Sequence, residues 1–386
     1  MTRIEWLEGG ESRSAQWRSE SGWPAPKKVV VADDTMSADA AYRLALDGAA
    51  LLWRGDFQNA RQLLQALVRR IEHKSDRAHR AKPGKAPATP SEAFHRHRLQ
   101  QLQRARTLAM LVIPFDADHG IPLRRAPDAR LACLEAYGMA DEPYVASLRE
   151  LLGVIGAHEW RRKGVMIPAL DERIHPWYGV FSPVRGEYVE LVAQAPLPAG
   201  AKLAFDIGAG TGVLSAVLAR RGLQVLVTDM DTRALGCARE NISRLGLSTQ
   251  VDIVQADLFP EGRAPLVVCN PPWLPGKPSS SIEYAIYDPD SRMLRGFLDG
   301  LKAHLEPGGE GWLIMSDLAE HLGLRPREQL LGWIGGAGLE VVARHDTRPV
   351  HPRASDQDDP LHMARSQELT SLWRLQIGRA SCRERV

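Results

Sequence analysis

After Pro198 the chain alternates short apolar runs with amphipathic stretches, and this alternation constrains its fold more than any other feature. Runs at 201–206, 224–229, 251–255, 266–269, 311–315, 339–344 and 369–375 read as strands. Stretches at 213–221, 232–245, 291–305 and 326–337 read as helices. Near-continuous apolar strands between helices need a sheet covered on both faces. That predicts an α/β domain on a largely parallel sheet.

The first strand runs through Asp206 into Gly208-Ala209-Gly210-Thr211-Gly212 and then a helix. Glycine opens backbone angles closed to other residues and lets a ligand touch the main chain. A dinucleotide fingerprint would place its third glycine at 213, where this chain has Val213. The second strand ends at Asp229, 23 residues after Asp206, where a carboxylate can accept both hydroxyls of a ribose. Asp231 competes for that role but reads better as the cap of the helix starting at Thr232. The third strand ends at Asp257. Three acids at successive strand ends fit one cleft along the carboxyl edge of the sheet.

The fourth strand runs straight into Asn270-Pro271-Pro272-Trp273. An asparagine offers a side-chain carbonyl acceptor, and the next proline offers only its backbone carbonyl. Two acceptors aimed at one NH2 group fix its plane and take up its donors, which frees the nitrogen lone pair to point elsewhere. The prolines stiffen the turn, and Trp273 can stack on a planar group. Nothing in this arrangement calls for a cysteine nucleophile or a metal.

The spacing D-x-G-x-G-x-G resembles motif I of class I S-adenosylmethionine (SAM)-dependent methyltransferases, and Asn270–Trp273 resembles the N-P-P-aromatic motif of those that methylate a nitrogen conjugated to a planar group. The resemblance implies a Rossmann-like, seven-stranded domain with SAM as cofactor. It implies that Asp206 and the glycine turn, with Ala209, Gly210 and Gly212, hold the methionine part. It places Met230 and Asn270 against the cofactor too, with Asp257 on the adenine amine and Leu258 beside the ring. Asn270, Pro271, Pro272 and Trp273 become the catalytic set. The usual aromatic is Tyr or Phe, so tryptophan departs from the common pocket shape. Two branches are similar: the protein glutamine methyltransferases of release factors, and the ribosomal RNA guanine methyltransferases, whose catalytic half begins with a stretch matched by Gly179-Val180-Phe181-Ser182. The implied substrate is a macromolecule, protein glutamine or RNA base. A non-catalytic SAM-fold module or a small-molecule N-methyltransferase is the alternative.

The remaining sequence bounds the reading. Length suggests about two domains. Net charge is +2, which demands no nucleic-acid partner. No apolar run approaches the roughly 20 residues that span a bilayer. The four cysteines, Cys133, Cys237, Cys269 and Cys382, show no zinc or dithiol spacing and fit a reducing cytosol. We therefore expect a cytoplasmic protein without membrane or metal. Residues 1–157 read as a mostly helical N-terminal domain, with a loose lead-in over 1–36, helices at 37–53, 56–73, 94–112, 126–137 and 143–156, and a basic, Pro-rich loop at 74–92. The basic stretch from Arg69 to Arg106 fits either a polyanion arm or a solvated loop between charged helix faces. Residues 158–197 read as a β-hairpin, with strands near 164–167 and 178–181, and a linking helix from about Arg185. His175, Tyr178, Arg185 and Glu187 are candidates there for lining the cofactor or substrate site. Residues 198–376 form the methyltransferase-like domain. Residues 377–386 continue no pattern and read as a non-native tail.

Overall fold

The structure is a computed structural model that describes residues 2–81, 88–183, 186–278, 281–350, 356 and 359–378. Arg185 and residues 379–386 of the expected tail lie outside the described residues, as do residues 82–87 of the basic loop. The chain divides into two compact units, one holding Met1–Ala88 and His95–Glu159, the other Thr89–Phe94 and Trp160–Val386.

The N-terminal unit departs from the expected helical domain. It is built on a six-stranded mixed sheet of β1 (Arg3–Glu8), β2 (Glu11–Trp17), β3 (Lys28–Ala32), β4 (Ala49–Trp53), β5 (Leu111–Phe115) and β6 (Tyr144–Ser147). Their order is β1-β2-β6-β5-β4-β3, with β3, β4 and β5 parallel. The helices are α1 (Ala38–Leu46), α2 (Phe57–Ala81), α3 (Pro90–Ala109), α4 (Arg130–Tyr137) and α5 (Leu148–Lys163). The runs Ala-Ala-Leu-Leu-Trp of β4 and Leu-Val-Ile-Pro-Phe of β5 are buried at every position. A strand covered on both faces shows no two-residue alternation, so such runs blend into the helical pattern beside them. The lead-in is a hairpin, its buried Ile4 and Trp6 alternating with exposed neighbours and its turn made by Gly9 and Gly10 at φ +61° and +84°. In the basic stretch, Arg70 pairs with Asp39 and Arg104 with Glu72, so part of its charge is neutralised within the unit.

The second unit opens with a small hairpin, β7 (Val165–Ile167) against β8 (Glu172–Ile174). Its second strand comes earlier than the expected 178–181 because the turn at Pro168–Asp171 is tight, Asp171 taking a left-handed conformation. Helix α6 (Glu187–Gln194) follows. Then come β9 (Leu203–Ile207), α7 (Val213–Arg220), β10 (Gln224–Asp229), α8 (Thr232–Arg244), β11 (Val251–Gln255) and β12 (Ala264–Cys269). A two-residue pair, β13 (Leu274–Pro275) and β14 (Tyr287–Asp288), precedes α9 (Arg292–His304) and β15 (Leu305–Ser316). Helices α10 (Leu318–His321) and α11 (Arg327–Gly336), β16 (Leu339–Thr347), α12 (His362–Arg365) and β17 (Thr370–Ile377) complete it.

Seven strands form one sheet in the order β11-β10-β9-β12-β15-β17-β16. All run parallel except β17, which is antiparallel to both neighbours. The expected Rossmann-like seven-stranded domain is present. Burial on both faces is what made it legible. Ala204, Leu266, Val268 and Ile314 pack under α6, α7 and α8. Phe205, Ile207, Val267 and Leu313 pack under α9 and α11. From β9 the chain steps outward to β10 and β11, then returns to β12 on the other side of β9. That reversal puts the switch point of the sheet at the carboxyl ends of β9 and β12, the place where open α/β sheets hold ligands.

Candidate active site

Asp206 alternates with Phe205 and Ile207 and so faces the layer of α6 and α7. It is 1% exposed. Ser215, one turn into α7, donates its hydroxyl to Oδ2, and Oδ1 has no hydrogen-bond partner. Burial pushes this carboxyl up to about 7, against the lowering effect of Ser215. A buried acid with one satisfied oxygen is costly unless a ligand completes it.

The glycine loop turns immediately after β9. Gly208 and Ala209 both donate their amides to the Thr228 carbonyl at 2.9 Å, which ties the loop to the end of β10. Gly208 sits at φ +90°, and a Cβ there would lie 2.9 Å from Cε of Met293. Gly212 caps α7 at φ +78°, with Ala238 of α8 3.2 Å from where a Cβ would be. These two positions need glycine for conformation and for space. At Gly210 no atom lies within 4 Å of a Cβ position, so the loop is open there.

Asp229 closes the other side. Oδ1 accepts the Asp231 amide at 2.9 Å, and Oδ2 accepts the Gly210 amide at 3.3 Å. Burial raises its carboxyl above the usual range. Asp231 accepts the Arg233 amide and caps α8. Met230, between them, is 55% exposed and stands at the rim. Each Asp229 oxygen keeps lone-pair capacity for a donor beyond the backbone. On the expectation that Asp229 accepts both ribose hydroxyls of SAM, Asp229→Ala weakens binding about thirtyfold, from two lost hydrogen bonds worth about 1 kcal/mol each. Calorimetric titration checks this, and unchanged affinity removes Asp229 from the site.

Asp257, two residues beyond β11, is exposed and ion-paired to Arg292 of α9 at 2.8 Å. Leu258 takes φ +69°, and its carbonyl accepts the Thr228 hydroxyl. Its side chain lies against Gly296, packed on the core beneath α9. The acid is thus tethered to a helix start, and the leucine serves the core.

Asn270 follows β12 directly, beside the glycine loop because β12 pairs with β9. Pro271 is buried, and Asn270, Pro272 and Trp273 are half-buried. Trp273 donates its indole N–H to Asn270 Oδ1 at 2.9 Å. Its ring packs against the cores on both faces of the sheet and meets Tyr188 edge-on at 6.5 Å. Cys269, adjacent to Asn270, is fully buried, and burial holds its thiol well above the usual range, so it offers no thiolate.

The hairpin candidates separate. His175 ties the hairpin to the helices: its amide donates to Asn241 Oδ1 at 2.7 Å, and Nδ1 lies 2.6 Å from the Arg161 carbonyl. It also borders a cleft of about 520 Å³ with Met166, Arg173 and Arg244, whose lining includes no residue of the glycine loop. Tyr178 lies under the Arg233 guanidinium at 5.8 Å, next to the start of α8. Glu187 begins α6 with Oε1 buried and without a hydrogen-bond partner. The charges of Asp206 and Glu187 both push the neighbouring Tyr188 phenol upward, after burial itself, so these three groups share one neighbourhood.

Two contributors carry no sequence signal. Arg325, 3% exposed, donates to the Trp273 carbonyl at 3.1 Å. Asp288 accepts the Met293 and Leu294 amides at 3.0 Å each and so caps α9. Neither belongs to a short motif, because each acts on residues distant in sequence. An apolar-to-charged break such as Leu324-Arg325-Pro326 is too common to single out.

Residues 178–326 match the family described as Methyltransferase small domain. Over 158 residues the chain is 32% identical to the ribosomal RNA small subunit methyltransferase C of Alcanivorax borkumensis, covering 39% of this chain and 45% of that one. It is 27% identical over 154 residues to the release factor glutamine methyltransferase of Cereibacter sphaeroides, covering 36% and 52%. It is 32% identical over 145 residues to the tRNA1(Val) (adenine(37)-N6)-methyltransferase of Shewanella loihica, covering 34% and 59%. The chain thus spans about half the length of the curated relatives it matches. Residues 178–326 of the second unit thus resemble a methyltransferase small domain, and they lie on a seven-stranded sheet that is parallel except for β17. Among the described residues, no helix is long and apolar enough to cross a membrane, and no group of three or more His, Cys, Asp or Glu could hold a metal ion.

Proposed function

We propose that this protein is a SAM-dependent N-methyltransferase acting on a planar, NH-bearing nitrogen of a macromolecule. One observation carries the reading: Asn270-Pro271-Pro272-Trp273 leaves β12 at the reversal point of the sheet, beside the acid and glycine turn that leave β9. The residues present fit SAM. The buried, unpartnered Oδ1 of Asp206 and the open loop at Gly210 offer an acceptor and a space. Asp206, Gly208, Ala209, Gly210 and Gly212 would hold the methionine part, Asp229 the ribose, and Met230 and Asp257 the adenine side. SAM supplies the electrophilic methyl group.

The chain itself positions and desolvates. The Asn270 Oδ1 and the Pro271 carbonyl accept the two hydrogens of the substrate nitrogen, which turns its lone pair towards the cofactor. Pro271 and Pro272 hold that geometry rigidly. Trp273 bounds the slot that receives the planar group. Two of the relatives, named for a glutamine and for adenine N6, support a target of this kind. All three relatives named above act on macromolecules, and the N-terminal unit gives this chain a surface beyond its catalytic domain.

The test incubates purified protein with tritiated SAM and lysate from a strain lacking the gene, followed by RNase or protease treatment and mass spectrometry. The expected product is a methylated amide or amine nitrogen in material that one of the two treatments degrades. Label that survives both in a small molecule overturns the macromolecular substrate, and a methyl on carbon or oxygen overturns the chemistry.

A further inference from the structure

Resting on that reading, we propose that Trp273 is a positioning residue: its indole N–H fixes the carboxamide of Asn270 in the orientation that presents an acceptor to the substrate. The indole nitrogen can only donate, so the atom 2.9 Å away must be the carbonyl oxygen of the amide and not its NH2. That contact decides which end of the carboxamide faces the slot. The terminal torsion of asparagine is broad and roughly two-fold. Without a partner, the amide can turn its NH2 group forward, and a donor facing the substrate's own NH2 repels it. With the indole in place, Oδ1 spends one lone pair on Trp273 and keeps the other for the substrate.

The anchor is itself anchored. The Trp273 ring packs against the cores on both faces of the sheet, and Tyr188 meets it edge-on with an interplanar angle of 90°. The Trp273 carbonyl accepts from Arg325, whose guanidinium also lies 3.5 Å from the Ser291 hydroxyl. A ring held on these sides has little freedom to swing, so its N–H is a fixed reference for Asn270. Phenylalanine at this position has no donor to offer. The tryptophan therefore contributes something beyond a flat surface, and part of its ring is spent on packing rather than on the substrate.

Trp273→Phe separates the two roles, because it keeps a ring and removes the N–H. If Trp273 positions Asn270, SAM affinity by calorimetry stays within about twofold. The turnover number with tritiated SAM and lysate of the deletion strain then falls between ten- and a hundredfold, since misplacing a reacting group by about 1 Å costs on the order of a hundredfold. The apparent KM for the labelled acceptor moves little. Turnover near that of the unaltered protein overturns the proposal and leaves stacking as the role.

A second measurement needs no substrate. In protein labelled with 15N-tryptophan, the resonance lost in Trp273→Phe identifies the indole N–H. In Asn270→Ala that resonance is expected to shift and to exchange faster with solvent. An indole signal that ignores Asn270→Ala overturns the hydrogen bond. If the unaltered protein transfers no methyl to any polymer, the proposed function fails, and the indole resonance alone decides the positioning role.

Discussion

Asn270→Ala is expected to bind SAM within about twofold of the unaltered protein and to lose turnover by roughly a hundredfold or more. On the proposed reading the cofactor is held by the ends of β9 and β10 and the glycine loop, whose links to one another run through Thr228, Ser215 and Asp229 and not through Asn270. The substrate side loses its side-chain acceptor. The truncation also strips the Trp273 indole of its hydrogen-bond partner, so the wall of the slot loosens along with the acceptor. Asn270→Asp keeps an oxygen for the indole and for the substrate but adds charge. The Cys269 thiol next door already feels Asp206 and Asp288 through space, so a carboxylate at 270 enters an acidic neighbourhood. An intermediate loss follows, smaller at lower pH, where the new acid is protonated. Titration calorimetry and initial rates on the same preparations check both variants. An Asn270→Ala enzyme with unaltered turnover removes Asn270 from catalysis and, with it, the proposed chemistry.

How far such a site can be read from sequence depends on what each residue answers to. Asp206, Gly208 to Gly212, Asp229 and Asn270 answer to local geometry: a strand end, a tight turn, a helix start. Short spacing encodes those, and the sheet order then places them side by side. Arg325 and Tyr188 answer to packing across the fold, which no window of neighbours contains. The same distinction explains the N-terminal unit. The expected helix over 37–53 is a helix only to Leu46, and Ala49–Trp53 is a strand buried at every position. Gly48, at φ +77°, marks the break. A Gly-bounded apolar run of five residues carried that information, and the helical pattern upstream masked it. The Gly9-Gly10 turn between alternating segments was a plainer signal, a hairpin in what reads at first as a loose lead-in. At Leu258 the motif located the residue but not its work, because the positive φ sends the side chain to the core.

Asp206→Asn is expected to stabilise the SAM-free protein at pH 8 and to weaken SAM binding at the same pH. The carboxyl of Asp206 is buried, one of its oxygens is unpartnered, and burial lifts it from an ordinary 3.8 to about 7. Between those two values the folded chain holds a proton that the unfolded chain has released. Stability contributed by this group therefore falls as pH rises from about 4 to about 7, then levels off. Below about 4 both states are protonated and the group contributes nothing. The ceiling on this effect is about 4 kcal/mol, and relaxation around the charge lowers it. Asparagine cannot ionise, so the variant should match the unaltered protein near pH 4 and exceed it near pH 8 in denaturant unfolding. With SAM the sign reverses. A cationic ligand favours the ionised acid, so binding near pH 6 should release a proton from the unaltered protein and none from Asp206→Asn. Calorimetry in buffers of differing ionisation enthalpy reads that proton directly. Losing a hydrogen bond to a charged group costs about 1.5–3 kcal/mol, so the variant's SAM affinity should fall by at least about tenfold. Parallel stability curves for the two proteins between pH 4 and 8 would show that Asp206 is already ionised in the folded state. Unchanged affinity in the variant would show that it does not touch the cofactor.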